Sequence, residues 1–243
     1  MSENEPLSSV ESETRRIRSM YLASLAGQEE SRADKCYSWA KRGLDIIVSL
    51  VALLILAPLF VVIAVLVKAT SPGPAILVQE RIGLGGQVFS FFKFRSMYNN
   101  RDRSADVRFA KAYIHGQAPA GTSSDGIFKP ASDRRVTPLG RTLRKASLDE
   151  LPQLWNVLKG DMSLVGPRPS MPYEVDAYEP WHFQRMQVLP GITGLAQIQG
   201  RSSRTFQDIV KIDIEYIRKR SLFLDLYILW RTLPVWLSGH GAR

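Results

Sequence analysis

A single cysteine, Cys36, leaves no disulfide framework and points to a reducing, cytoplasm-facing setting. The three histidines, His115, His182 and His240, are scattered without metal-ligand spacing. No internal repeat is apparent. Acidic residues are outnumbered: 32 Lys and Arg face 23 Asp and Glu, for a formal charge of +9. That balance calls for an anionic partner, be it nucleic acid, a phosphate-bearing substrate or an acidic membrane surface. Nucleic acid is the weakest of the three, because the charge is spread over several segments and no groove-reading motif is present. A chain of 243 residues suits one domain or two small ones.

What the chain does have is one long apolar run. Residues 1–37 are rich in Ser, Glu and Arg and read as a disordered tail, with a short helix expected near Arg15 to Leu25. Ile46 to Val67 then gives 22 residues without a charge, long enough for a membrane span. It lies too far from the N-terminus for a usual signal peptide, and no small-residue cleavage site is evident. Pro58 sits near its middle, so each half is only ~15 Å of helix, about half the hydrocarbon thickness. Both flanks are basic: Lys35, Lys41 and Arg42 before, Lys68, Arg81, Lys93 and Arg95 after. The positive-inside tendency keeps both ends on the cytoplasmic side. A re-entrant helix that breaks at Pro58 fits these observations; a kinked spanning helix is the alternative.

The segment Lys145 to Pro169 holds the candidate chemistry. Asp149 and Glu150 stand side by side, followed by Leu151, Leu154, Trp155 and Leu158 at helical spacing. Pro152 cannot sit deep in a helix, so the helix is expected to begin at or just before the acidic pair, where free amides favour anions. Gly166-Pro167-Arg168-Pro169 is a rigid turn holding one arginine. The set suits a phosphate ester. Ser147-x-x-Glu150 also fits a plain capping box. The basic run Arg134 to Lys145 leads directly into the pair, and nearby cations are expected to depress the Asp149 pKa and keep it ionised.

Elsewhere, Ala75 to Gln79 and Val88 to Arg95 read as a hairpin, in which Lys93 and Arg95 share a face and could clamp a diphosphate. A surface helix near Asp102 to Tyr113 precedes a loop, 116–133, that is a lid, a specificity insert or a tolerated insertion. Three glycines in the run Leu189 to Arg201 imply close backbone approach to a ligand, with Arg201 a further phosphate candidate and Asp213 following. The segment Leu222 to Leu237 reads as an interfacial helix or a docked core helix.

The blocks KRGLDIIVSLVALLILAPLF, FFKFRSM, LRKASLDELPQLWNVLKGDMSLVGPRP, PGITGLAQIQGR and KIDIEYIRKRSLFLDL, in this order, resemble the bacterial sugar transferase family over about residues 38–237. These are small monotopic polyprenol-phosphate phosphoglycosyl transferases that initiate exopolysaccharide, O-antigen or glycoprotein glycan assembly. The resemblance implies an α/β, mostly α fold: a 38–72 re-entrant membrane helix-break-helix and a 73–243 catalytic region with a small β-hairpin and interfacial amphipathic helices. It implies a location at the bacterial inner membrane with the catalytic region on the cytoplasmic face, in contact with anionic lipid. It also implies Mg²⁺-dependent transfer of a phospho-sugar from a UDP-sugar to undecaprenyl phosphate, releasing UMP. By motif match Asp149 is the nucleophile, and Glu150 completes the dyad as an Mg²⁺ ligand or acceptor base. Lys93, Arg144, Arg168, Arg201 and Asp213 match positions associated with phosphate, nucleotide or acidic site contacts. Pro58 matches the family's helix break, although Ala57 stands where many relatives have serine. Competing expectations are a hydrolase using the same dyad on water and a non-enzymatic basic membrane adaptor. A homo-oligomer is left open.

Overall fold

The computed structural model describes residues 17, 19, 21, 32–98, 104–117, 135–200 and 204–238. Arg201, most of the 116–133 loop and most of the N-terminal tail lie outside them. Of that tail, Ile17, Ser19 and Tyr21 are described and helical, in keeping with the expected short helix. Ile17 is buried in a cluster with Ile82, Phe183 and Phe206, so this piece of the tail packs on the domain.

The apolar run lies within α1 (Arg32–Thr70). Its inward residues are Asp45, Ser49, Leu53, Leu56, Phe60, Ile63 and Val67, spaced three or four apart. This stripe continues on both sides of Pro58. Pro58 itself is inside a single helical element, so the expected break does not divide α1 into two helices. A proline removes one bond of the ladder and leaves the flanking ones in place. The outer face is apolar and exposed, with Ile47, Leu54, Ile55 and Val61 all more than half accessible. A soluble core helix would bury such a surface.

Both ends of α1 are tied to the same body. Near its start, the Arg42 guanidinium donates to the carbonyls of Val157 and Leu158, and Asp45 Oδ1 accepts from the Leu164 amide at 3.0 Å. At its end, Arg95 Nε donates to Ser71 Oγ at 3.1 Å, and Nη2 donates to the carbonyls of Ser71 at 2.6 Å and Val67 at 3.3 Å. Arg95 is therefore the buried cap of a helix C-terminus and not half of a phosphate clamp. The period-two reading failed because β2 ends at Phe94, one residue earlier.

The expected hairpin is present: β1 (Ile76–Ile82) pairs antiparallel with β2 (Val88–Phe94), with Leu77 opposite Lys93. After α2 (Ser104–Ile114) comes α3 (Pro138–Lys145), started by Thr137, whose side chain accepts from the Gly140 amide, and by Pro138 at the first helical position. A 3₁₀ turn (Leu148–Glu150), α4 (Gln153–Lys159) and β3 (Ser163–Val165) follow. The polar connector folds as α5 (Pro172–Val175) and a 3₁₀ segment (Pro180–Gln187). Then β4 (Gly191–Thr193) lies parallel to β3, and α6 (Leu195–Ile198), α7 (Phe206–Lys219) and α8 (Leu222–Ser238) complete the chain. The described residues are mostly helical, with two small two-stranded sheets.

The main core joins Leu154, Val157, Met162, Leu164 and Val165 to Ile209, Ile212, Tyr216 and Ile228, with Ala52, Leu53 and Leu56 of α1 against it. A second cluster joins Ile63 and Val67 of α1 to Phe94, Leu143 and Leu151. That cluster carries the site, because Leu143 and Leu151 bracket the acidic pair. On α8, Asp225, Ile228 and Thr232 face inward, while Phe223, Leu226 and Trp230 stay exposed. The helix thus docks on one face, as the core-helix reading expects, and presents apolar side chains on the other.

Candidate active site

The acidic pair is presented by a sharp reversal. Helix α3 ends at Lys145, and Ser147 adopts a left-handed backbone with φ of 54°, the only non-glycine residue at positive φ among those described. Its side chain makes no capping bond, so the capping-box reading fails. Asp149 and Glu150 fall in the 3₁₀ turn, and α4 begins only at Gln153 behind Pro152. The carboxylates are not in the first turn of an α-helix. One prolyl constraint contributes: Pro152 has no amide to donate back to the Leu148 carbonyl, so an α-helical ladder cannot run through it, although Leu151 and Pro152 both keep right-handed helical dihedrals.

Cations converge on this turn from separate elements. Lys93 of β2 and Arg144 at the end of α3 are the positive charges acting on Asp149. Arg168 Nη1 donates to Glu150 Oε1 at 3.3 Å. Arg81 lies beside Arg168 and is held by donation to the Pro169 carbonyl at 3.2 Å and by the Phe91 ring 4.9 Å away. Structure thus brings together Asp149, Glu150, Lys93, Arg144 and Arg168.

The electrostatics reverse the expected sign at Asp149. Its pKa is pushed up from 3.8 to about 6, first by burial and then by repulsion from Glu150; Lys93 and Arg144 pull against this and lose. The carboxylate is still mainly ionised at neutral pH. Lys93 is pushed down to about 8, first by burial and then by Arg81, with Asp149 acting in the opposite direction. Arg81 is lowered to about 10 by burial and by Arg168, and it stays charged.

The arginine turn, Gly166 to Pro169, is clamped by backbone. The Gly166 amide donates to the Thr193 carbonyl at 2.9 Å, and the Gly191 amide donates to the Pro167 carbonyl at 2.8 Å. A Cβ on Gly166, Gly191 or Gly194 would run into the backbone of the facing segment. These glycines therefore serve chain-to-chain packing, where close approach to a ligand was expected.

Asp213 is 2% exposed and sealed in an ion pair with Arg185, whose Nη2 lies 2.6 Å from its Oδ2. It faces the back of the arginine turn. Arg185, Arg81 and Tyr178 were missed by sequence reasoning. Arg185 sits in a short polar connector with no periodicity to mark it, and nothing local distinguishes it from a solvated surface arginine.

No group of three or more His, Cys, Asp or Glu that could hold a metal occurs among the described residues. Two adjacent carboxylates nevertheless fit Mg²⁺, which characteristically takes one or two protein carboxylates and completes its shell with water and substrate phosphate. Burial first, and then repulsion from Glu150, raise the Asp149 pKa, and a divalent ion between the two carboxylates would relieve that repulsion.

The sequence profile of the bacterial sugar transferases matches residues 36–239. A UDP-N-acetylgalactosamine-undecaprenyl-phosphate N-acetylgalactosaminephosphotransferase of Aeromonas hydrophila is 40% identical over 213 residues, covering 85% of this chain and 46% of the relative. The exopolysaccharide production protein ExoY of Rhizobium meliloti is 39% identical over 206 residues, covering 84% of this chain and 88% of the relative. A UDP-glucose:undecaprenyl-phosphate glucose-1-phosphate transferase of Caulobacter vibrioides is 41% identical, with 83% and 71% covered. This chain therefore spans less than half of the Aeromonas protein but most of ExoY. With the profile covering nearly the whole described fold, the chain belongs to the bacterial sugar transferase family.

Proposed function

We propose that this protein transfers a phospho-sugar from a UDP-sugar to undecaprenyl phosphate, as the first membrane step of a surface-glycan pathway. The observation that carries this reading is a partly buried, cation-flanked carboxylate on a turn bracketed by Leu143 and Leu151, which pack on the apolar helix α1. A water-soluble donor and a lipid acceptor meet only at such a boundary. The names of the relatives supply the donor and acceptor classes, but their sugars differ, so the sugar stays unassigned.

Asp149 attacks the sugar-bearing phosphorus of the donor, the bond from that phosphorus to the bridging oxygen breaks, and UMP leaves with the oxygen. An oxygen of undecaprenyl phosphate then attacks the aspartyl phosphate, freeing Asp149 and forming the lipid diphosphate sugar. Dividing the displacement in two lets each anion approach a screened centre. Lys93, Arg144 and Arg168 neutralise the phosphoryl oxygens, and Arg168 orients Glu150. Mg²⁺ held by Asp149 and Glu150 would supply further charge screening of the donor diphosphate.

The membrane disposition follows the same logic. Both ends of α1 attach to one charged body, which favours a helix that enters and leaves by the cytoplasmic face of the inner membrane. The exposed apolar side chains of α8 and Trp155 extend the lipid-facing surface over anionic headgroups.

The test is UMP release from a panel of UDP-sugars with undecaprenyl phosphate and Mg²⁺. Intact mass after donor alone should show a phospho-sugar adduct that is absent from Asp149→Asn. Equal product without lipid acceptor would make the protein a hydrolase. Salt-sensitive liposome binding with no turnover would make it an adaptor. Cysteines placed near Lys35 and near Ser71, the latter at exposed Pro72, in a Cys36→Ser background, should both label from the cytoplasmic side only.

A further inference from the structure

Behind the arginine turn lies, among the described residues, a buried charged network that makes no hydrogen bond or ion pair to Asp149 or Glu150. Arg185 is 6% exposed, and its guanidinium fork reaches three places. Nη2 donates to Asp213 Oδ2 at 2.6 Å and to the Arg168 carbonyl at 3.3 Å, and Nη1 donates to the Tyr178 hydroxyl at 2.9 Å. Tyr178 in turn shares a 2.7 Å hydrogen bond with Ser170 Oγ, and the Ser170 carbonyl accepts from the Ile82 amide at 2.9 Å. From the other side Arg81 holds the Pro169 carbonyl. Residues 168–170 are thus gripped through three carbonyls and a hydroxyl by buried groups.

Burying an ion pair carries a desolvation penalty for each charge, and an apolar pair of similar volume is often no less stable. What a planar guanidinium fork gives, and an apolar pair lacks, is fixed direction. We propose that Arg185 and Asp213 are positioning residues. They lock the Arg168 peptide so that its guanidinium stays aligned between Glu150 and the donor phosphate, and Asp213 acts through Arg185 without touching substrate. This rests on the proposed phosphate role of Arg168. It assigns Asp213 a place behind the site, where the family resemblance implied a contact within it.

The test is a double-mutant cycle on full-length protein in lipid nanodiscs, read as kcat/KM for UMP release and as Kd for UDP. Asp213→Asn should lower kcat/KM about 10- to 100-fold, in the range of lost orienting partners. Made in an Arg168→Ala background, the same change should alter it by less than about twofold. Multiplicative losses in both backgrounds, with an active wild-type protein, overturn the positioning role alone. A wild-type protein that neither turns over a UDP-sugar nor binds UDP overturns the functional reading beneath it. If thermal unfolding shows Asp213→Asn to be misfolded, Tyr178→Phe replaces it in the cycle, since it removes one anchor of Arg185 and keeps the ion pair.

Discussion

Replacing the proposed nucleophile should make the protein more stable as it makes it inactive. Asp149→Asn keeps shape and removes a charge that the fold holds at a disadvantage. The carboxyl shifts from 3.8 to about 6 on folding, roughly two units, with Lys93 and Arg144 already included in that balance. At about 1.4 kcal/mol per unit this is ~3 kcal/mol, and solvent screening of a partly exposed side chain lowers it to about 2 kcal/mol. A folded pKa above the unfolded one means that the ionised form is disfavoured by folding. Wild-type stability relative to the asparagine variant is then equal below about pH 4, falls between about pH 4 and pH 6, and stays low above that. At pH 7.5, with EDTA present, the variant should unfold roughly 4 to 8 °C higher. Scanning fluorimetry of both proteins across pH 4 to 8 measures the difference directly. A variant no more stable than wild type at pH 7.5, or an advantage equally large at pH 4, would refute the claim that burial and Glu150 dominate the electrostatics of Asp149.

Further outcomes follow from the same geometry. The rate of UMP release should rise with pH through about 6 as Asp149 ionises and fall above about 8 as Lys93 loses its proton, and Lys93→Met should remove the alkaline limb. Added Mg²⁺ should raise the unfolding temperature of wild type and leave that of an Asp149→Asn, Glu150→Gln protein unchanged, which tests metal binding without activity. Ser147→Gly should retain activity, whereas Ser147→Val, forced to φ of 54°, should lose at least about 1–2 kcal/mol of stability and misplace the dyad, as read by unfolding and turnover. Gly191→Ala, whose Cβ meets the Gly166 backbone, should destabilise by about 1–3 kcal/mol and lower turnover without any contact to substrate.

The local sequence determined the elements whose signals are local. An uncharged run of 22 residues satisfies its backbone most simply as a helix, so α1 was legible from length and hydropathy. Alternating apolar residues around a glycine-rich turn specified the hairpin, whereas α3 went unread because its basic composition masked the Thr137-Pro138 start. The five motif blocks specified the family. Tertiary structure decided what depends on residues far apart. Arg95 became a helix cap because it lies where the end of α1 returns to the hairpin. The glycines of the Pro190 to Gly194 run became packing surfaces because β4 lies on the arginine turn. The Asp149 pKa rose because desolvation by the assembled domain outweighs charges that the sequence merely places nearby. Asp213 turned inward because its partner, Arg185, comes from a segment 28 residues earlier. Periodicity and turn chemistry report on neighbours along the chain, whereas burial and the direction of a side chain are properties of the packed whole.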